Sequence, residues 1–200
     1  MTFPRIGLLI GVLVVLCSGA GAQVRHDPLN PREVDQLRES AQLPKKRIDL
    51  LVSFARERML AIERLRSAAK SGATQPGVDD SSKIADLLGD LAAVIDELDD
   101  NLAMYSRHSE DLRRPLHHVL DAEAEFLSKL EALNESATPL QKRHLAAALE
   151  DALDSVKSSR ESARDMLAGQ IEKKGEEKDK LDRREARQTP GTHDSDADRQ

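Results

Sequence analysis

The chain of 200 residues has no tryptophan, one tyrosine, three phenylalanines and one cysteine. With 2% aromatic residues there is almost no platform on which bases or sugar rings could stack. There is no glycine-rich phosphate loop and no nucleophile elbow. There is no Glu-x-x-His pair, the inward-facing motif of di-iron bundles. No loop carries the acidic spacing of an EF-hand. A basic excess is also missing. The formal charge is −6, which argues against a nucleic-acid footprint. Strand-like alternation of apolar and polar residues does not occur.

The single cysteine lies inside the first 22 residues, which read as a secretory signal peptide. Arg5 supplies the positive start, Ile6 to Leu16 is an uncharged apolar run, and Ala20-Gly21-Ala22 fits the small-x-small cleavage pattern. The run is shorter than the roughly 20 residues that span a bilayer, so a retained anchor is the weaker reading. Lipidation at Cys17 is weaker still, because the preceding residue, Leu16, is large. Cleavage would leave a mature chain starting at Gln23, exported to the periplasm or outside the cell. That chain has no thiol. Disulfides, thiolate metal sites and cysteine nucleophiles are then excluded together. Loss of Arg5 leaves 29 basic residues against 36 acidic ones, a charge of about −7.

What is present is helical periodicity, and the expected fold class is all-α. After a leader at 23–29, Asn30-Pro31-Arg32-Glu33 reads as an N-cap, a first-turn proline and a Glu placed to bond back. Val34, Leu37 and Ala41 follow at helical spacing. Pro44 starts a second helix that runs to about Ser71. The stretch from Gly72 to Asp80 reads as a turn. Asp80 or Ser81 should cap a third helix ending near Ser106. A fourth spans Leu112 to Ser136, with Pro115 in its first turn. Thr138-Pro139 opens a fifth that reaches about Glu172. Short links between helices of similar length predict an antiparallel up-and-down bundle of four long helices over 30–172, with the first helix as a lid or strap. Residues 173–200 are charged and poor in apolar side chains. They read as a frayed helical extension and then a disordered tail after Gln188.

The stretch from Asp79 to Tyr105 holds eight acidic residues and one Lys. At 100° per residue, Ile84, Leu87, Leu88, Leu91, Val94, Ile95, Leu98, Leu102 and Tyr105 share one arc. Ile84, Leu91, Leu98 and Tyr105 recur every seven residues, as in a coiled-coil seam. Asp86, Asp90, Asp96, Glu97 and Asp100 fall outside it, which makes them a solvated face rather than a metal cradle. Helix two carries eight basic and three acidic residues over Pro44–Lys70. Opposite charge on neighbouring flanks favours pairing helices two and three, although each exposed pair contributes little. A basic helix could instead face a membrane surface or an acidic partner.

His117, His118 and Asp121 could share a helix face, yet they lie away from the apolar stripe of Leu112, Leu116, Val119, Phe126, Leu130 and Leu133. No metal or other cofactor is implied. The informative oddity is Glu123, which falls within that stripe. Arg58 and Arg66 fall in the helix-two stripe, and Arg160 in the helix-five stripe between Val156 and Ala163. A lone core carboxylate costs several kcal/mol unless paired or protonated. The expectation is a buried polar layer in which Glu123 meets Arg58, Arg66 or Arg160. Such a layer fixes helix register, or its long side chains snorkel to the rim, or it is an acid poised for a ligand or a proton.

With no convergent catalytic set, the sequence points to a non-enzymatic exported helical protein. It would act through protein–protein contact as a scaffold, adaptor or chaperone-like module. The alternative is a small-molecule or metal-responsive bundle, built on Glu123 with one of these arginines or on His117, His118 and Asp121.

Overall fold

A computed structural model describes residues 27–71 and 80–188. The expected signal peptide, the start of the leader, most of the turn from Gly72 to Asp80, and 189–200 lie outside the described residues. The elements are α1 (Pro31–Glu39), α2 (Pro44–Lys70), α3 (Ser81–Arg107), α4 (Arg113–Ser136) and α5 (Pro139–Gln188). Among the described residues there is no strand, and no helix is long and apolar enough to cross a membrane.

Local chemistry sets the helix ends. Asn30 Oδ1 accepts the Arg32 and Glu33 N–H groups, and Glu33 Oε2 accepts the Asn30 N–H, which completes the expected capping box. At α5, Gln141 Oε1 accepts the Thr138 N–H and Thr138 Oγ1 accepts the Gln141 N–H. Asp80 stands at the α3 N-cap, but its carboxylate takes Lys83 Nζ at 3.2 Å instead of a backbone N–H. The α3 C-terminus is a Schellman turn. Ser109 N–H reaches Ser106 O and Glu110 N–H reaches Tyr105 O, with Ser109 at φ 60 where glycine is usual.

The long helices form the expected up-and-down bundle, and their neighbours identify its topology. α2 packs on α3 and α4, and α5 packs on α3 and α4. α3 and α4, like α2 and α5, stand diagonally, and their backbones are not neighbours. The molecule is therefore two antiparallel hairpins, α2/α3 and α4/α5, laid side by side. Asp49 meets His118, Arg56 meets Glu125 and Glu63 meets Lys129, so α2 and α4 run parallel. α3 and α5 run parallel on the other side. The α3-to-α4 connection crosses the bundle end diagonally. Gln170 of α5 clamps it there, donating to Glu110 O and accepting from the Leu112 N–H.

The core follows the heptad seams. Ile84, Leu88, Leu91, Ile95, Leu98, Leu102 and Tyr105 of α3 are buried, as are Leu112, Leu116, Val119, Phe126, Leu130 and Leu133 of α4. α5 supplies Leu145, Leu149, Ala152, Val156, Ser159, Ala163 and Leu167. Its small residues Ala152, Ser159 and Ala163 admit α3 closely, and α3–α5 is the most extensive helix contact. Past Glu172, α5 continues as helix, with exposed side chains as far as Arg184.

Candidate functional site

Glu123 is 0% exposed, at the centre of α4 between Val119 and Phe126. Of the three arginines expected as its partners, two are held elsewhere. Arg58 is buried, but its guanidinium grips Glu33 of α1. Nη1 meets Oε1, and Nη2 donates to Oε2 at 2.7 Å and to Pro28 O at 2.5 Å. Arg66 lies at the far end of α2 and donates to Ser136 Oγ. Arg160 is half-buried beside the layer with its Nε unpartnered, so it acts on Glu123 by charge and not by a hydrogen bond. The residue on the α5 seam at this level is Ser159, also 0% exposed, one place before Arg160.

The observed layer is thus Glu123 of α4, Ser159 and Arg160 of α5, and Asp99 of α3. Both Glu123 carboxylate oxygens, Ser159 Oγ and Asp99 Oδ1 are buried without a hydrogen-bond partner. Burial drives the Glu123 carboxyl up to about 7. The Ser159 hydroxyl opposes this, the Asp99 charge adds to it, and Arg160 and Arg164 offset part of it. Burial likewise raises the Asp99 carboxyl; Ser162 opposes the shift, and Asp100 and Asp96 add to it.

Two further polar clusters fasten α1 to the bundle. Glu33 is 3% exposed. Burial pushes its carboxyl up, but the bonds from Arg58 and Asn30 and the Arg58 charge outweigh that and hold it below its ordinary value. Arg47 of α2 donates to Asn101 Oδ1 at 2.6 Å, Leu37 O at 2.9 Å and Glu97 Oε1 at 3.2 Å. It ties α1, α2 and α3 together. The acidic face of α3 is solvated as expected, with Asp86, Asp96 and Asp100 exposed. Arg47–Glu97 is a pair of the α2–α3 kind that the charge balance predicts, yet α2 also turns charges of both signs to α4 through Arg56–Glu125 and Glu63–Lys129.

His117 and Asp121 are exposed. His118 turns from them towards α2, accepting from Arg56 Nη1 at 3.2 Å and donating from Nδ1 to Asp49 Oδ1 at 3.0 Å. Among the described residues, no three His, Cys, Asp or Glu side chains are placed to hold a metal ion. The clefts lie elsewhere. One of about 430 Å³ runs along Leu145, Leu149 and Leu153 of α5, and one of about 700 Å³ is lined by Lys45, Arg113, Arg114 and His117. Neither reaches Glu123.

Sequence reasoning missed Glu33, Ser159, Asp99 and Asn101 as members of these clusters. Glu33 had a visible signal, because it precedes Leu37 by one helical turn and so shares its buried face. Asn101 lies seven residues after Val94, and Ser159 seven after Ala152, on the same seams. No family model, no curated protein and no solved structure matches the chain.

Proposed function

We propose that the chain is an exported, non-enzymatic helical protein that acts by protein–protein contact, as a scaffold, adaptor or chaperone-like module. The observation that supports this reading over a ligand-responsive bundle is the state of the Glu123 layer. A ligand site there would need a cleft lined by Glu123 and a free arginine. Glu123 is instead sealed from solvent, and Arg58 is committed to Glu33. The surface on offer is the outer length of α5, where Ile171 and Leu181 are 56% and 54% exposed among Lys174, Lys178 and Arg113.

A pull-down of the mature chain from an extract of its native compartment tests the reading, run beside a chain that lacks Glu176–Gln200. A specific protein partner that the shortened chain loses is the expected result. Recovery of a bound small molecule with no protein partner overturns it. Export is tested separately by intact mass: the product should begin at Gln23, and a secreted product that retains Met1 overturns the cleavage.

A further inference from the structure

The Glu123 layer lacks the features that normally accompany a buried carboxylate. Buried charges are paired or fully hydrogen-bonded, because taking one out of water otherwise costs more than a core returns. The carboxylate of Glu33 in this same protein follows that rule, with three N–H donors around it. Glu123 breaks it: neither oxygen has a donor in hydrogen-bond geometry, and the Ser159 hydroxyl alone is near enough to act as a weak one.

Its surroundings come from three helices. On α5, the Ser159 hydroxyl lies close enough to favour the charged form but outside good hydrogen-bond geometry, and the cations of Arg160 and Arg164 act on it only through space. On α3, Asp99 is a second carboxyl with a buried unpartnered oxygen. On α2, the pairing of Asp49 with His118 and of Arg56 with Glu125 places Phe54 and Ala55 at this level. Both are apolar and buried, and Arg56 is turned to Glu125. No cation is bonded to Glu123: Arg160 and Arg164 attract its charge, and Asp99 repels it, only through space. A neutral carboxyl suits this setting. It has no charge to desolvate, and its O–H can donate to an oxygen nearby, which an ionised Glu cannot do.

We propose that Glu123 is a proton-binding site inside the bundle, neutral in the folded chain, whose ionisation opens the α4–α5 seam at Ser159 to water. The proton lost goes to solvent, and no other bond changes. The sign follows from linkage. The unfolded carboxyl titrates near 4.5 and the folded one near 7. Stability from the neutral form is complete below about 4.5. It falls as pH rises and is fully lost once pH passes about 7. Between those values the folded chain binds one more proton than the unfolded chain, so the folding constant falls about tenfold per pH unit.

The test uses the full mature chain and its Glu123→Gln variant, which keeps the shape but cannot ionise. Chemical denaturation of both between pH 4.5 and 8.5 should give a stability difference that grows in favour of the variant up to about pH 7 and is level above it. A difference that does not change with pH overturns the proposal. Carbon-13 NMR of the Glu123 carboxyl in the unmodified chain gives an independent reading if the variant fails to fold. A midpoint near 7 is expected, moving down in Asp99→Asn as the like charge is removed. A midpoint in the ordinary carboxylate range, or one indifferent to Asp99→Asn, overturns it. Amide exchange around Val119–Phe126 and Val156–Ala163, corrected for intrinsic rates, should quicken between pH 6 and 8 in the unmodified chain and not in Glu123→Gln.

Discussion

Arg58 and Glu33 meet fork to fork across the α1–α2 contact, with side chains 10% and 4% exposed. The same carboxylate closes the α1 capping box, so one side chain both starts the helix and fastens it to the bundle. A bidentate pair of this kind, with every oxygen and most N–H groups satisfied, is the arrangement in which a buried charge is tolerated.

Glu33→Ala leaves the Arg58 guanidinium buried without its carboxylate. Its expected cost is about 3–5 kcal/mol, against under about 0.5 kcal/mol for Asp86→Ala on the solvated face of α3. Adding Arg58→Met should return part of the loss, because the orphaned charge is gone. Urea denaturation of the three variants decides it, and equal mildness of Glu33→Ala and Asp86→Ala would show that the pair does not hold α1. The pH dependence has the opposite sign to that of Glu123. The folded Glu33 carboxyl lies below its ordinary 4.5, so its stabilisation is present above 4.5 and is lost as pH falls through the lower folded value. Glu33→Gln should flatten that acid limb in melting curves taken between pH 2 and 5.

Arg47 is the second fastening of α1. Arg47→Ala removes the donors to Asn101, Glu97 and the Leu37 carbonyl of α1, at an expected cost of about 1–3 kcal/mol. Lysine should not restore it, because only the planar guanidinium reaches Asn101 Oδ1 and Leu37 O together. Faster amide exchange within Pro31–Glu39 in both variants, with α4 unaffected, is the expected signature.

Two backbone positions leave stability unclaimed. Gly89 lies within α3, and nothing stands within 4 Å of where its Cβ would be. Gly89→Ala should stabilise by about 0.5–1 kcal/mol. Ser109 holds the left-handed position of the α3 Schellman turn, which glycine adopts without strain. Ser109→Gly should stabilise by up to about 1 kcal/mol, read as a shift in urea midpoint at constant slope. A loss of stability at Ser109→Gly would mean that the serine side chain supports the crossover.

Deletion of Glu176–Gln200 should leave the melting temperature within about 2 °C, because the described part of that segment is exposed and the bundle core ends at Leu167. A drop of several degrees would show that it docks on the bundle.

Helix existence and core faces were legible because each rests on one local rule. Asn30, Pro44 and Thr138-Pro139 mark starts, and the seams of α3 and α4 read directly as 3.6-residue periodicity. The diagonal crossover was not legible, since a seven-residue seam says that a helix has neighbours but not which ones. The position of Glu123 in the core was legible from the stripe it interrupts. Its surroundings were not. Arg58, Arg66 and Arg160 were all spaced to reach a core, and only the tertiary arrangement shows that Glu33 takes Arg58, that Arg66 lies at the bundle end, and that Ser159 stands one residue nearer the seam than Arg160. Charge balance indicated the α2–α3 pairing, but it could not show that Arg56 and Glu63 would turn to α4, because long flexible side chains serve either flank of a helix.

The length of α5 gives the bundle mechanical reach. From Gln170, which holds the α3–α4 crossover, to Gln188 is about 27 Å of continuous helix at 1.5 Å per residue. The helix before Gln170 is packed into the core, and from Ile171 to Arg184 its side chains are exposed. A lever with its fulcrum at that clamp multiplies small rotations. A tilt of about 5° there carries the far end through about 2 Å. A shift too small to unfold anything is therefore felt as displacement at a distant tip, with the rod itself unbent.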